Sequence, residues 1–388
     1  MINAIARDRQ GRLVTAGTTE AGFIVQRFLP DGSLDPTFGE NGATATRFFG
    51  NYVRANAVAV LPDGRILVAG QTWTPNTVAR YLVTRYLPDG GLDPTFGKRG
   101  RVIAGPKMYD GEATALAVQP DGRFMIAGWA ADTRFGFSGI AMRFEPDGAL
   151  DSSFSRNGYT RVGGGGGAFL RDITVEPDGK IVVAGEIFER FMMLRLFPDG
   201  RLDRSFGKGG FAISNVAPHR HERANPDEIA LLPGGRLLLS GNIYGKRRDF
   251  VALARYGPSG RPDRSFGKDG VVLTRSSAEL VTEAMAVGRD GRITLAGYRA
   301  PRGSRPQVAV LRYLPSGRPD PSFGDKGLFT PRLAYESVAT SLVTLADGRT
   351  MVAGRSNPSR AAVQETAGEE FVASVLEKAE FLLMRIRR

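Results

Sequence analysis

Residues 82–100 read LVTRYLPDGGLDPTFGKRG, and the phrase returns five more times. Residues 24–42 read IVQRFLPDGSLDPTFGENG, and residues 309–327 read AVLRYLPSGRPDPSFGDKG. Further copies stand at 140–158, 193–210 and 252–270. A second phrase is interleaved: PDGRILVAG at 62–70, PDGRFMIAG at 120–128 and PDGKIVVAG at 177–185. Self-similarity at a fixed period decides the fold before local propensity does, because each copy is one unit that buries its faces against its neighbours. The turn glycines of the second phrase are Gly11, Gly64, Gly122, Gly179, Gly235, Gly291 and Gly348, spaced 53 to 58 residues apart. That makes seven copies, longer than the ~40–45 residues of a WD40 blade and nearer kelch.

Each copy divides into four short apolar runs with turn signals between them. In the second copy, run A is 55–61, run B 65–70, run C 81–87 and run D 100–104. Pro62-Asp63-Gly64 joins A to B as a tight turn, in which Pro sets φ and Gly supplies a positive φ. Pro88-Asp89-Gly90 and a Leu-Asp-Pro-Thr-Phe-Gly segment join C to D. Four antiparallel strands repeated seven times predict an all-β, seven-bladed β-propeller of four-stranded blades, a single domain over residues 1–388. Run B ends in Ala-Gly or Ser-Gly in every copy, as at Gly70 and Gly128, which predicts close backbone approach there.

The phrase LxRYxPDGxLDxSFGxxG resembles the delta-60 repeat of bacterial proteins, and the layout of runs A to C is similar to NHL-type blades. The resemblance covers essentially the whole chain and implies a β-propeller. It implies no activity, since that family has no general one to transfer. The seventh copy departs from the pattern: it has no Asp-x-Ser-Phe-Gly segment or run D, so a three-stranded last blade is expected. It also carries an insertion, in which Phe371, Val372, Val375, Leu376 and Ala379 recur at helical spacing. Glu369 and Glu370 open that stretch and Lys378 closes it, as a helix dipole favours. One short helix is therefore expected within about 357–379, with its apolar stripe packed on the propeller.

Composition fits a folded protein, with 42% hydrophobic and 24% charged residues. There is no cysteine, so neither a disulfide framework nor thiol chemistry. No apolar run approaches the ~18 residues of a membrane span. The opening MINAIARDRQ lacks the layout of a signal peptide, and compartment stays open. A net charge of +12 raises nucleic-acid or anionic-polymer binding as one class. The arginines are spread one or two per copy rather than clustered, which counts against it.

Six copies carry an Arg in run C and an Asp eight residues later: Arg27 and Asp35, Arg85 and Asp93, Arg143 and Asp151, Arg195 and Asp203, Arg255 and Asp263, Arg312 and Asp320. A ring of charges could bind an anion. A pair within each blade, pinning the C–D corner, suits a repeated element better. Arg385 stands in the same place without a repeat Asp. The corner phenylalanines (Phe38, Phe96, Phe154, Phe206, Phe266, Phe323) are expected in the groove between blades rather than as a stacking platform. No metal site and no cofactor is expected: Asp31–Asp35 lacks the alternating carboxylates of a calcium loop, and the only histidines, His219 and His221, sit in a basic loop. The five-glycine run at 163–167 precedes a strand-like segment, so it is no phosphate cradle.

The A–B and C–D turns are nearly constant, whereas the B–C and D–A connections vary and share the opposite end of the strands. Variable loops on a rigid scaffold are where binding residues collect. The candidate binding residues there are Trp73, Tyr109, Trp129, Phe188, Tyr244, Arg247 and Tyr298, aromatics with Arg being the usual makings of a hot spot. The expected function is a non-enzymatic binding or scaffold propeller, a monomer with a protein or glycan ligand. A lyase or hydrolase with its site at the mouth of that face is the alternative, and two histidines in one loop make it thin.

Overall fold

The structure, a computed structural model, describes residues 1–386 apart from 21, 49–51, 75–76, 106–109, 133–135, 164–166, 215, 218–221, 246–248, 277, 332, 334–335, 346, 358–370 and 376–380. It contains seven antiparallel sheets. The first orders β1 (Ile2–Arg7), β2 (Leu13–Thr19), β3 (Gly22–Phe28) and β4 (Ala43–Arg47). The second orders β5 (Tyr52–Val60), β6 (Ile66–Trp73), β7 (Arg80–Tyr86) and β8 (Arg101–Ala104). The third is β9 (Asp110–Val118), β10 (Phe124–Asp132), β11 (Gly136–Phe144) and β12 (Tyr159–Val162). The fourth is β13 (Ala168–Val175), β14 (Ile181–Ile187), β15 (Arg190–Leu196) and β16 (Phe211–Ser214). The fifth is β17 (Arg223–Leu232), β18 (Arg236–Tyr244), β19 (Phe250–Tyr256) and β20 (Val271–Arg275). The sixth is β21 (Glu279–Val287), β22 (Ile293–Ala300), β23 (Gln307–Tyr313) and β24 (Leu328–Phe329). In the seventh, β25 (Glu336–Thr344) and β26 (Thr350–Asn357) are followed in space by β28 (Phe381–Ile386), with β27 (Phe371–Val375) outside it. The fold class is a seven-bladed β-propeller.

By contacts, sheets 1–4 form one body (residues 3–188 and 192–213), and sheets 5–7 with residues 1–2 and 189–191 form another. Within each body, neighbouring sheets stack face to face and bury an apolar layer. Val14, Val25, Phe38, Val68 and Leu82 fill the layer between sheets 1 and 2. Val308, Val310, Ala339, Val352 and Met384 fill that between sheets 6 and 7. The second and third strands are buried on both faces, so they read as apolar runs rather than alternating ones; β7, RYLVTRY, is an example. Fourth strands such as β8 are only partly buried. Among the described residues the only helical turn is a 3-10 turn at Pro233–Gly235, and no helix is long and apolar enough to cross a membrane.

The run-B glycines have a local cause. The first strand of each of sheets 2 to 7 carries an irregularity of register, as between Ala55 and Ala57 opposite Gly70. A Cβ on Gly70 would lie 1.8 Å from the Arg54 carbonyl, and one on Gly128 1.9 Å from that of Glu112. The bulged carbonyl leans over the second strand, and only glycine leaves it room.

The seventh repeat itself contributes three strands, β25, β26 and β28, and the insertion adds β27 at the outer edge. The helix expected within 357–379 is corrected: Phe371–Val375 is a strand pairing antiparallel with β28, Phe371 opposite Ile386 and Val375 opposite Leu382. Asn357 closes β26. The remainder of the expected helix falls outside the described residues. The physical reason is the edge that β28 would otherwise leave unpaired. A row of free backbone N–H and C=O groups templates a strand, and that pairing overrides a weak helical periodicity.

Candidate functional site

Two ends of the strands carry different chemistry. At the constant end, the Pro-Asp-Gly turn and the Asp-x-Ser/Thr-Phe-Gly segment fold back on the third strand. Six Arg–Asp pairs form there, each within its own sheet. Arg27, Arg85, Arg195, Arg255 and Arg312 donate Nε to their Asp at 2.8 Å, and Arg143 does so to Asp151 at 2.6 Å. The other carboxylate oxygen accepts the backbone N–H and the hydroxyl of the residue two further on: Thr95 donates both to Asp93, at 3.0 and 2.6 Å. Burial alone would raise these carboxyls. The hydrogen bonds from Thr95 and the Arg85 charge outweigh it and hold Asp93 below the usual range. The same balance brings Asp320 down to about 2.

Each guanidinium also lies over its corner phenylalanine, 4.2 to 4.8 Å from the ring centroid. In four of the six the far nitrogen reaches the next sheet. Arg27 Nη1 donates to the Pro88 carbonyl at 2.5 Å, Arg85 to Pro146, Arg143 to Pro198, and Arg255 to Pro315 at 2.9 Å. The residue after the corner phenylalanine follows suit. The N–H of Gly39 donates to Asp89 O, Gly97 to Asp147 O, Ser155 to Asp199 O and Gly267 to Ser316 O. One arginine thus pins its own corner and clasps its neighbour's turn. In the seventh sheet Arg385 meets no repeat Asp, and its buried Nε has no hydrogen-bond partner among the described residues.

The opposite end carries the variable connections. In the first body, Tyr52 stacks on Trp73 with centroids 5.5 Å apart, and Tyr52 is 57% exposed. Trp129 meets Phe137 at 5.6 Å and Phe169 at 6.1 Å, and the two phenylalanines lie 4.9 Å apart. Arg171 caps Phe169 at 5.8 Å and pairs with Glu186 at 3.4 Å. Phe188 is 65% exposed on a hairpin tip with φ at +51°, a conformation that costs free energy for any residue but glycine.

In the second body the same end is acidic. Tyr298 donates its hydroxyl to Glu279 Oε1 at 2.8 Å. Burial first, and then the charges of Asp227, Asp249, Glu283 and Glu279, push Tyr244 up to about 12. Burial and the bond to Glu279 push Tyr298 up as well. Asn242 spans the sheets there, donating Nδ2 to Asp227 at 2.7 Å and to Thr282 O at 2.7 Å, and accepting the Thr282 N–H at 3.0 Å.

Of the sequence-predicted binding residues, Trp73, Trp129, Phe188, Tyr244 and Tyr298 are thus at the variable end, in two groups on two bodies. Tyr109 and Arg247 lie outside the described residues, as do His219 and His221. Asp31 turns its carboxylate onto the N–H and hydroxyl of Ser33, closing its own turn. Among the described residues no group of three His, Asp or Glu side chains is set to hold a metal. Tyr52, Phe169 and Glu279 escaped the sequence reading, because each lies in a first strand and comes beside Trp73, Phe137 or Tyr298 only through strand register or the stacking of neighbouring sheets.

The family described as "Domain of unknown function (DUF5122) beta-propeller" matches residues 11–38, 61–96, 119–154, 176–206 and 288–323. The chain is a β-propeller repeat protein. Each segment runs from the second phrase to the C–D corner, so it spans the connection between the second and third strands and leaves aside the fourth strand and the connection to the next sheet. No curated protein matches the chain. Among solved structures it is similar to a protein of unknown function from Dyadobacter fermentans, at 13% identity, TM-score 0.47, covering 88% of this chain and 100% of that one. It is also similar to the polysaccharide lyase Uly1, at 9% identity and TM-score 0.46, covering 99% of this chain and 89% of that one. A third likeness is to the Hadza microbial sialidase Hz136, at 12% identity and TM-score 0.42, covering 89% and 71%. At these identities none of their activities transfers to this chain.

Proposed function

We propose that this propeller is a non-enzymatic binding protein whose ligand, a protein or a glycan, docks on the aromatic variable end of sheets 2 to 4. The observation that carries this is exposure: Tyr52, Phe137 and Phe188 are 57, 42 and 65% exposed beside Trp73 and Trp129. Rigid aromatic rings left in water at one end of a buried scaffold are the makings of a hot spot. The constant end offers less, since its six corner arginines already pair with Asp. A glycan array and affinity capture, each followed by titration of purified ligand, test the proposal. Trp73→Ala with Trp129→Ala is expected to weaken binding at least about tenfold at unchanged melting temperature. Equal affinity in the double variant would rule this surface out.

A second reading, a lyase or hydrolase, is favoured by the Tyr298–Glu279–Tyr244 group alone. Both tyrosines are held protonated, so either could act only as an acid, with a carboxylate beside it as base. Turnover of a polysaccharide that Tyr298→Phe abolishes while binding persists would establish it.

A further inference from the structure

The aromatic end of sheets 2 to 4 is not a plain apolar patch, because rings and ion pairs alternate along it. On β5, Tyr52 and Arg54 are exposed while Val53 and Ala55 are buried, so the exposed two share one face. On β6, Trp73 stands opposite Tyr52 and Gln71 opposite Arg54. The Arg54 guanidinium faces the Glu112 carboxylate of β9 at 3.9 Å, with the Arg54 side chain 55% exposed. The Asn56 amide donates to the same Glu112 oxygen at 2.7 Å and holds it in place. Glu112 in turn stands opposite Trp129 in register. Trp129 meets Phe137 and Phe169, Phe169 stands opposite Glu186, and Glu186 pairs with Arg171. From sheet 2 to sheet 4 the order is therefore rings, guanidinium, carboxylate, rings, carboxylate, guanidinium.

We propose that this surface binds a linear, neutral, β-linked oligosaccharide, with sugar rings stacked on Tyr52–Trp73 and on the Trp129 group and hydroxyls bridging Arg54 and Glu112 between them. This rests on the aromatic end being the binding surface, and it adds the class of ligand. The core of a protein interface is depleted of charged residues, since burying an ion pair costs desolvation that a protein surface seldom returns. Here Arg54 and Glu112 lie between the ring groups, where such a core would be. A sugar hydroxyl suits that place, because it accepts from a guanidinium and donates to a carboxylate at once. A pyranose with equatorial hydroxyls also keeps flat C–H faces for the rings. Each guanidinium is matched by one carboxylate, so the surface calls for no charge on the ligand. Sheets stacked face to face lie about 10 Å apart, more than the length of one sugar ring, so only an oligomer reaches both ring groups.

Trp73 and Trp129 are the chain's two tryptophans, so its fluorescence reads both ring groups, and Trp129→Phe or Trp73→Phe leaves one reporter in each. Cellohexaose, laminarihexaose and chitohexaose are the probes, titrated into the whole chain beside their disaccharides and hexagalacturonate. At least one neutral hexasaccharide is expected to bind saturably, to change the emission of both reporters, and to bind at least about tenfold more tightly than its disaccharide. Hexagalacturonate is expected to bind no better than the disaccharides. Arg54→Ala is expected to lower hexasaccharide affinity about tenfold at unchanged melting temperature, through the lost charge-assisted hydrogen bonds. No hexasaccharide binding at millimolar concentration, equal affinity for hexasaccharide and disaccharide, preference for hexagalacturonate, or an Arg54→Ala variant that binds as before would each overturn the assignment. A purified protein ligand that Trp73→Ala with Trp129→Ala releases, in a chain that binds none of the sugars, would keep the aromatic surface and remove the oligosaccharide from it. Binding of protein and sugar alike that ignores both tryptophans would remove the surface as well.

Discussion

The corner arginine shows how far a single residue can be read from sequence. Its spacing of eight to an Asp is local, and a local pair can be inferred from the geometry of one turn. Its clasp on the next sheet is not local: Arg27 and Pro88 are 61 residues apart, and only the stacking of sheets joins them. The buried pair contributes most by what its loss leaves behind. In Asp93→Ala the Arg85 guanidinium, 3% exposed, keeps its charge without a counter-ion. A loss of about 3–5 kcal/mol is expected by urea unfolding. Asp63, paired with Arg65 in an exposed turn, is the control, and Asp63→Ala should cost under about 1 kcal/mol. Equal costs would mean the corner pair is worth no more than a surface one.

These carboxyls also set an acid limit. Asp35, Asp93, Asp151, Asp203 and Asp263 are held below their ordinary value of 3.8, and Asp320 at about 2. A carboxyl whose folded pKa is depressed stabilises the fold fully above its unfolded pKa and loses that contribution as pH falls through the folded value. Urea midpoints are therefore expected to stay level above about pH 5 and to fall steeply from about pH 4 towards 2. A midpoint that stays level down to pH 2 would sink the assignment.

At the level of the element, the repeats were legible because turn residues and apolar runs recur in phase. Strands in copies one to six follow from the recurring glycine turns, Pro-Asp-Gly or its variants such as Pro-Ser-Gly, whatever their local propensity. The insertion in the seventh copy has no copy to be compared with. Phe371, Val372 and Val375 satisfy a helical period and a short strand alike, and five residues cannot separate the two. What decides is β28, whose outer edge offers backbone groups that a helix could not pair. Removing residues 358–378 takes β27 away and leaves a four-residue link between Arg355 and Phe381, which already face each other in register. Amide exchange within residues 382–386 is then expected to quicken, and self-association to rise, as an edge strand loses its cover. Exchange that does not change would show that β27 protects nothing.

For the whole molecule, the constant turns were legible and the function was not, for one reason. The repeat records what every sheet needs, and a ligand is met by what each sheet does differently. Tyr52 and Trp73, or Tyr298 and Glu279, occur once each and sit beside one another only in the folded register. The charge excess is the whole-molecule property most open to a false reading. A net +12 suggests a polyanion, yet the corner arginines are neutralised in place by Asp, and turn cations such as Arg65, Arg123, Arg292 and Arg349 sit on their own turn Asp. A charge that is spread and paired gives weak, sequence-independent attraction that salt screens. The protein is therefore expected to bind heparin or duplex DNA at low ionic strength and to release it below about 0.2 M salt. A synthetic duplex should show no preference for its sequence. Retention well above that salt concentration, or discrimination between two duplexes, would mean that the unpaired remainder of the charge is gathered into a real site, and the polyanion class would then displace the aromatic surface as the place to look for function.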